Sequence, residues 1–459
     1  MNTVLGHKCP LSDWCTTMRL LSSRIDSALI CMPMIDTVRL PSSYQPQIWR
    51  LVNGQTTHTV HILHNPNHGS QTSQFFSASK LDTWGICLGI RIAVCIQTDS
   101  MHIMTARFPY NNAKNGVPGN GKGGYQVPAP GDTAHQFIAP TAHDIRGPCP
   151  GLNAAANHGF LARDGIVTFN ELVDAQQNVY NVGYDLSVLL AVLGLTLTDG
   201  DPITQKLSIG CDATTRTSVA PLLTGSQPGL DGHNKFEADT SLTRNDYFLA
   251  GGDNFNFNGT LFGMMVDTCQ GNFNRENLAL YRKQRYDQSL RDNENFYFGP
   301  LSLLLFGAAS FLYELMPSGT HNYAPDLDTI SSFFGAEQAP DGSWRFTAER
   351  IPDNWTNRVL PYTNEDVTRE ILAMYLLNPV LFGGATGDGG FNTLPKFGSI
   401  QDGKIVEAPN TLCLLYQLST QSVPSSLNGI ITPTVDALNL VADKLAPQFK
   451  NLGCPNPLT

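Results

Sequence analysis

Cys149 stands between two prolines in the run Arg146-Gly147-Pro148-Cys149-Pro150-Gly151-Leu152-Asn153-Ala154-Ala155-Ala156-Asn157-His158-Gly159. Pro150 suits the first position of a helix, because its ring presets φ and its missing N–H would have had no partner there. Cys149 then becomes the N-cap. Its sulfur faces unpaired backbone N–H groups and the positive end of the helix, which favours the thiolate and predicts a lowered pKa. Gly159 supplies the helix stop. With no second cysteine close in sequence, the arrangement presents a thiolate to a metal centre. A disulfide half-cystine or an inert buried thiol is the alternative for a Pro-Cys-Pro taken alone.

The complete string resembles the proximal haem-ligand motif of the fungal haem-thiolate peroxidases, the chloroperoxidase and unspecific peroxygenase family, which reads Pro-Cys-Pro followed by Leu-Asn and Ala-Asn-His-Gly. The resemblance implies that Cys149 is the axial ligand of haem b, that its thiolate pushes electron density onto iron to favour O–O cleavage, and that hydrogen peroxide is the oxidant. Downstream, Phe236-Glu237-Ala238-Asp239-Thr240-Ser241-Leu242-Thr243-Arg244 resembles the family segment that carries a divalent cation beside a haem propionate. On that likeness Glu237, the Ala238 carbonyl and Ser241 are the oxygen ligands of a hard cation, magnesium before manganese, and Phe236 borders the haem pocket. Ala238 stands where the peroxygenase branch has Gly and the chloroperoxidase branch has a His that assists proton transfer. Cys413 and Cys454, 41 residues apart, resemble the pair that clips the C-terminal tail of longer members. Closing such a loop stabilises by roughly 4 kcal/mol in the chain-entropy model. Further family-like text lies in Leu207–Gly210, Asp253–Phe262 and Tyr286–Ser289.

The likeness breaks on the distal side. The peroxygenases carry an Arg and a Glu on one helix above the haem, the Glu moving a proton between the two peroxide oxygens. Here the corresponding segment is Gly299–Met316, and an ungapped register puts the two positions on Ser302 and Ala309, seven residues apart. A register that matches Gly307 and Phe311 puts them on Leu301 and Ala308. Glu314 is the nearest carboxylate and hence the one catalytic candidate. At about 100° per residue it lies off that helix face, so its ordinary role would be to reach solvent or an arginine. Losing a positioned acid–base group costs about 10²–10⁴ in rate. Two readings follow: a haem-thiolate peroxidase or peroxygenase oxidising a hydrophobic or aromatic organic substrate, and a haem-binding member with reduced or altered peroxide chemistry. A structural glycoprotein that kept the fold and lost the haem is a third, weaker idea.

Composition is compatible with this and narrows the partners. The 459 residues carry a net charge of −10, and the 29 Lys and Arg form no dense run, so nucleic acid and anionic membrane are poor partners. With 41 glycines and 29 prolines, long irregular connections between helices are expected. The apolar stretch of 299–316 is too short to favour a membrane span over a core helix. Sequons at Asn258 and Asn354, with the implied disulfide, suit a secreted glycoprotein.

Residues 1–105 read as an irregular N-terminal extension. They hold Cys9, Cys15, Cys31, Cys87 and Cys95 in no spaced pattern and show no sustained helix or strand periodicity. Met1 is not followed by a basic segment and an apolar core, which suggests that upstream sequence has replaced a secretion signal and that the mature protein begins after about residue 100. His58, His61, His64 and His68 lack a matching carboxylate or thiol, and Gly116–Gly123 lacks the Ser or Thr of a phosphate loop, so both are decoys. Residues 106–140 read as a Gly/Pro/Asn-rich arm laid over the surface, and 141–459 as the haem domain. The fold class is mostly α, a single helical domain, with helices expected from the Thr168 capping box to about Asn178, then Asp185–Leu197, Thr260–Cys269, Arg275–Arg291, Pro300–Met316, Glu365–Leu377 and Thr434–Leu445.

Overall fold

Eight helices of eight or more residues carry the described part of the chain. The structure, a computed structural model, describes residues 45–53, 56–64, 110–235, 237–397, 400–406, 440, 443–445 and 447. Two compact units divide it: residues 16–103, and residues 1–15 with 104–459.

In the smaller unit, β1 (Gln45–Asn53) pairs antiparallel with β2 (Thr56–His64), Asn53 opposite Thr56. This hairpin departs from the expectation of no strand periodicity. Asn53-Gly54 between Leu51-Val52 and Thr56–Val60 is the turn signal that the reading passed over. His58, His61 and His64 fall on β2, and His68 lies outside the described residues.

The larger unit is mostly α. It comprises α1 (Pro150–Asn157), α2 (Phe169–Tyr180), α3 (Tyr184–Leu197), α4 (Gly259–Cys269), α5 (Arg275–Asp292), α6 (Leu304–Glu314), α7 (Leu327–Phe334) and α8 (Asn364–Leu377). Local chemistry sets their ends. The Thr168 hydroxyl accepts from the Glu171 N–H while the Glu171 carboxylate accepts from the Thr168 N–H, closing the capping box that opens α2. Asn258, Asn274, Asp326 and Thr363 cap α4, α5, α7 and α8 with their side-chain oxygens. Pro300–Met316 does not run as one helix: Pro300–Leu303 is 3₁₀ and α6 begins at Leu304. The expected helix at Thr434–Leu445 lies mostly outside the described residues.

Helix pairs α2 with α3, and α6 with α8, bury a continuous apolar core that contains Phe169, Val173, Leu189, Phe262, Tyr281, Phe306, Trp355 and Ile371. Short antiparallel pairs fasten the connections. Ile166–Thr168 (β3) pairs with Lys206–Ser208 (β4), Ala336–Gln338 with Trp344–Phe346, and Gly383–Ala385 with both Tyr297–Phe298 and Phe391–Thr393.

The Gly/Pro/Asn-rich arm is irregular, but it is anchored more firmly than a surface strap. Asn111 donates to Asn181, and the Asn178 amide exchanges two bonds with the Ala113 backbone. Tyr110, Ala113, Val127 and Ala129 are buried. Gly116 and Gly121 take positive φ within it, serving tight turns rather than a phosphate cradle.

Candidate functional site

Cys149 is the N-cap of α1, with extended backbone at φ −89° and ψ 106°, followed by Pro150 at the first helical position. The polar residues of the motif hold the loop that carries it. The Asn153 amide accepts from the Gly147 N–H at 3.1 Å and donates to the Gly147 carbonyl at 2.8 Å, tying loop to helix. The Arg146 guanidinium donates to the Asn157 side chain at 2.9 Å, and Asn157 donates to the Glu349 carbonyl at 2.8 Å. One ring nitrogen of His158 lies 3.0 Å from the His135 carbonyl and the other accepts from the Ile351 N–H at 3.2 Å. That pattern fixes a single neutral tautomer, and burial lowers the His158 pKa to about 4. Gly159 turns the chain at φ +73°, as its position predicts.

Glycine also explains the neighbouring segment. A Cβ on Gly147 would come within 2.0 Å of the Ile209 carbonyl oxygen, and one on Gly210 within 2.3 Å of the Arg146 carbonyl oxygen. Leu207–Gly210 therefore packs backbone to backbone behind the cysteine loop.

Cys149 lines a cavity of about 240 Å³ together with Glu237, Ala238 and Ser241. Two segments far apart in sequence thus meet at this one cavity. Cys149 forms no capping hydrogen bond through its side chain. Its pKa is not lowered as predicted. Burial pushes the thiol up, and outweighs the Leu152 and Gly151 N–H groups and the Arg244 charge that pull it down. A thiol in such a place becomes a thiolate when a metal takes its proton's place.

Sequence reasoning missed the ion pair beside it. Arg244 and Glu349 are both buried, with Nη2 3.6 Å from Oε1, and Asn153 donates to that oxygen at 2.9 Å. Burial disfavours both charges, raising the Glu349 carboxyl and lowering the Arg244 guanidinium, while their attraction offsets part of each shift. Arg244 closed the quoted cation segment, but nothing in sequence joins it to a glutamate 105 residues later.

Glu237 presents the chemistry a cation needs. Its Oε2 accepts from Asn254 at 2.7 Å and faces His233 at 3.1 Å, whereas Oε1 is buried without a partner among the described residues. An orphaned, buried carboxylate oxygen on a cavity wall is a costly arrangement that a hard cation would relieve. Thr240, within the same segment, takes φ +74°, a strained conformation for a β-branched residue. The Arg282 guanidinium and the Asp246 carboxylate clamp it from two sides. Phe236 lies outside the described residues, as do Cys413 and Cys454.

Helix α6 presents Leu305, Ala308, Phe311, Leu312 and, just past its end, Leu315 to the cavity, an apolar stripe at helical spacing. Ala308 is open to the cavity, whereas Ala309 is fully buried against the core. Of the two positions left open by the sequence, Ala308 is thus the one that faces the cavity. Glu314 does not line the cavity. It pairs with Arg358 at 2.7 Å, the ordinary role for a carboxylate at a helix end.

Residues 135–359 match the family described as "Peroxidase, family 2". The chain is 30% identical over 348 residues to the aromatic peroxidase fscJ of Fusarium equiseti, covering 70% of this chain and 78% of that protein. It is 34% identical over 224 residues to an aromatic peroxygenase of Coprinellus radians, covering 47% and 84% respectively. Against the dothistromin biosynthesis peroxidase dotB of Dothistroma septosporum it is 28% identical over 340 residues, covering 70% and 81%. With the cysteine loop, the acidic segment and the α6 stripe meeting at one cavity, these matches establish that the chain belongs to the family of fungal haem-thiolate peroxidases and peroxygenases and is an oxidoreductase acting on peroxide.

Proposed function

We propose that the chain holds haem b through Cys149 and uses hydrogen peroxide to oxidise a hydrophobic or aromatic organic molecule. The observation that carries this reading is the position of Cys149 on the wall of a cavity whose α6 face is wholly apolar. When bound, a thiolate-ligated haem supplies the iron at which the peroxide O–O bond is cleaved. Glu237, the Ala238 carbonyl and Ser241 would hold magnesium, the orphaned Glu237 oxygen being the donor with most to gain. The Arg244–Glu349 pair and Asn153 keep the cysteine loop in place from behind.

Leu305, Phe311 and Leu312 exclude water and favour an apolar substrate, and Ala308 leaves room for a bulky one. The relatives named for aromatic substrates and for dothistromin biosynthesis support an aromatic metabolite of fungal secondary metabolism. With alanine at position 308 on the cavity face of α6, peroxide activation would be slower, or aided by water or by the substrate. A specific observation therefore also favours the second reading, a haem-binding member with slow or altered peroxide chemistry.

A secreted location accords with the implied Cys413–Cys454 bridge and with Asn354, whose side chain is exposed. Asn258 is the less open sequon, since its side chain caps α4 and donates to Asn245 at 2.6 Å. Among the described residues no helix is long and apolar enough to cross a membrane.

Rapid mixing of the haem-loaded protein with hydrogen peroxide tests the reading. A peroxide-dependent change in the haem spectrum, reversed by an aromatic reductant, is expected. A haem spectrum unmoved by peroxide at every pH would leave only the binding role.

A further inference from the structure

Arg282, on α5, lines the cavity and is almost wholly buried. Among the described residues its terminal nitrogens donate only to the neutral Thr240, to the carbonyl and to the hydroxyl, the latter at 2.8 Å. Its Nε is buried with no partner among the described residues. Among the described residues it forms no ion pair, and Asp246, which also holds Thr240, is paired with Arg285 at 3.1 Å instead. The ring of Phe306 lies against the guanidinium, its centroid 5.3 Å from Cζ. Burial, and secondarily the like charge of Arg285, pull the Arg282 pKa down to about 9, against the opposing influence of Tyr281 and Asp246. A guanidinium without an acid, at the wall of an apolar cavity, is suited to an anion with planar oxygens that enters from outside.

We infer that Arg282 recognises a carboxylate brought into the cavity by a ligand. Two sources share that chemistry, a propionate of the prosthetic group and the carboxylate of an apolar acid used as substrate. In its propionate form the inference rests on the haem reading above, and in its substrate form it does not. Arg282 also clamps Thr240, and a clamp alone would affect acids and esters alike.

The test compares acid with ester in the full-length protein. Binding of haem and of haem dimethyl ester is followed by absorbance, and binding of decanoate and of methyl decanoate by calorimetry, for the wild type, Arg282→Gln and Arg282→Lys. The wild type is expected to prefer the acid over its ester by about tenfold or more in at least one pair. Arg282→Gln should lose that preference and Arg282→Lys should keep part of it. Preference within the porphyrin pair assigns the site to propionate, and preference within the decanoate pair assigns it to a substrate acid. A wild type that binds acid and ester equally in both pairs overturns the inference, a result that needs no variant to fold. So does a preference that survives unchanged in Arg282→Gln. A chain that takes up neither porphyrin but prefers decanoate contradicts the haem reading while sustaining the role of Arg282.

Discussion

A sulfur at a helix mouth is a thiolate or a thiol according to which of two effects is larger, and at Cys149 burial exceeds the pull of the helix end and of Arg244. Sequence shows the cap and the proline but not the depth of the site, so the position of the cysteine was legible and its protonation state was not. The same limit applies to Ala308. Two registers of α6 were open from the sequence, and only packing shows that Ala308 faces the cavity while Ala309 is sealed in the core. Restoring an acid there is expected to restore proton transfer. In Ala308→Glu the rate of the peroxide-dependent spectral change should rise at least about tenfold, within the range a general acid–base group contributes. An unchanged rate in a variant that retains its haem would show that α6 does not overlie the reacting oxygen. Glu314→Gln, by contrast, removes only a part-exposed pair with Arg358 and should leave that rate within about twofold, as read by the same mixing experiment.

At the scale of elements, helices whose ends are written by side chains were legible: the Thr168 capping box at the start of α2 and Gly159 after α1. The unforeseen α7 has its own signals, Asp326 at the start and Gly335 at φ +59° beyond its end, but at eight residues its periodicity is too brief to read. The hairpin of β1 and β2 was missed because its Asn53-Gly54 turn signal was passed over. What no local pattern reveals is close approach of distant backbone. Gly147→Ala would drive a Cβ to within 2.0 Å of the Ile209 carbonyl oxygen, so the cysteine loop or β4 must move. A loss on the order of 2 kcal/mol or more is expected, with weaker haem uptake, measured by denaturant unfolding and haem titration. Gly194→Ala is the matched control on α3. Its added Cβ meets nothing within 4 Å, and the change should stabilise by about 0.5–1 kcal/mol while narrowing the cavity.

Across the whole molecule, the motif after Cys149 joins segments that the chain order keeps apart. His158 links the arm at His135 to Ile351, and Asn153 and Asn157 reach Glu349. Because the folded-state pKa of His158 lies near 4 against about 6.5 when unfolded, the unfolded chain binds more protons as pH falls. The stability due to neutral His158 is complete above pH 6.5 and is lost progressively toward pH 4, roughly 3 kcal/mol in all. Unfolding midpoints across that window should fall more steeply for the wild type than for His158→Asn. Parallel slopes would show that the ring is not held neutral. The central claim, that a sulfur at position 149 binds haem iron, is tested most directly by the absorption spectrum of the reduced carbon monoxide adduct. The wild type should absorb in the Soret region far to the red of a histidine-ligated haem, and Cys149→His should move the band back to the histidine position. A wild-type adduct already at the histidine position, or one unchanged when Cys149 is replaced, would contradict the account.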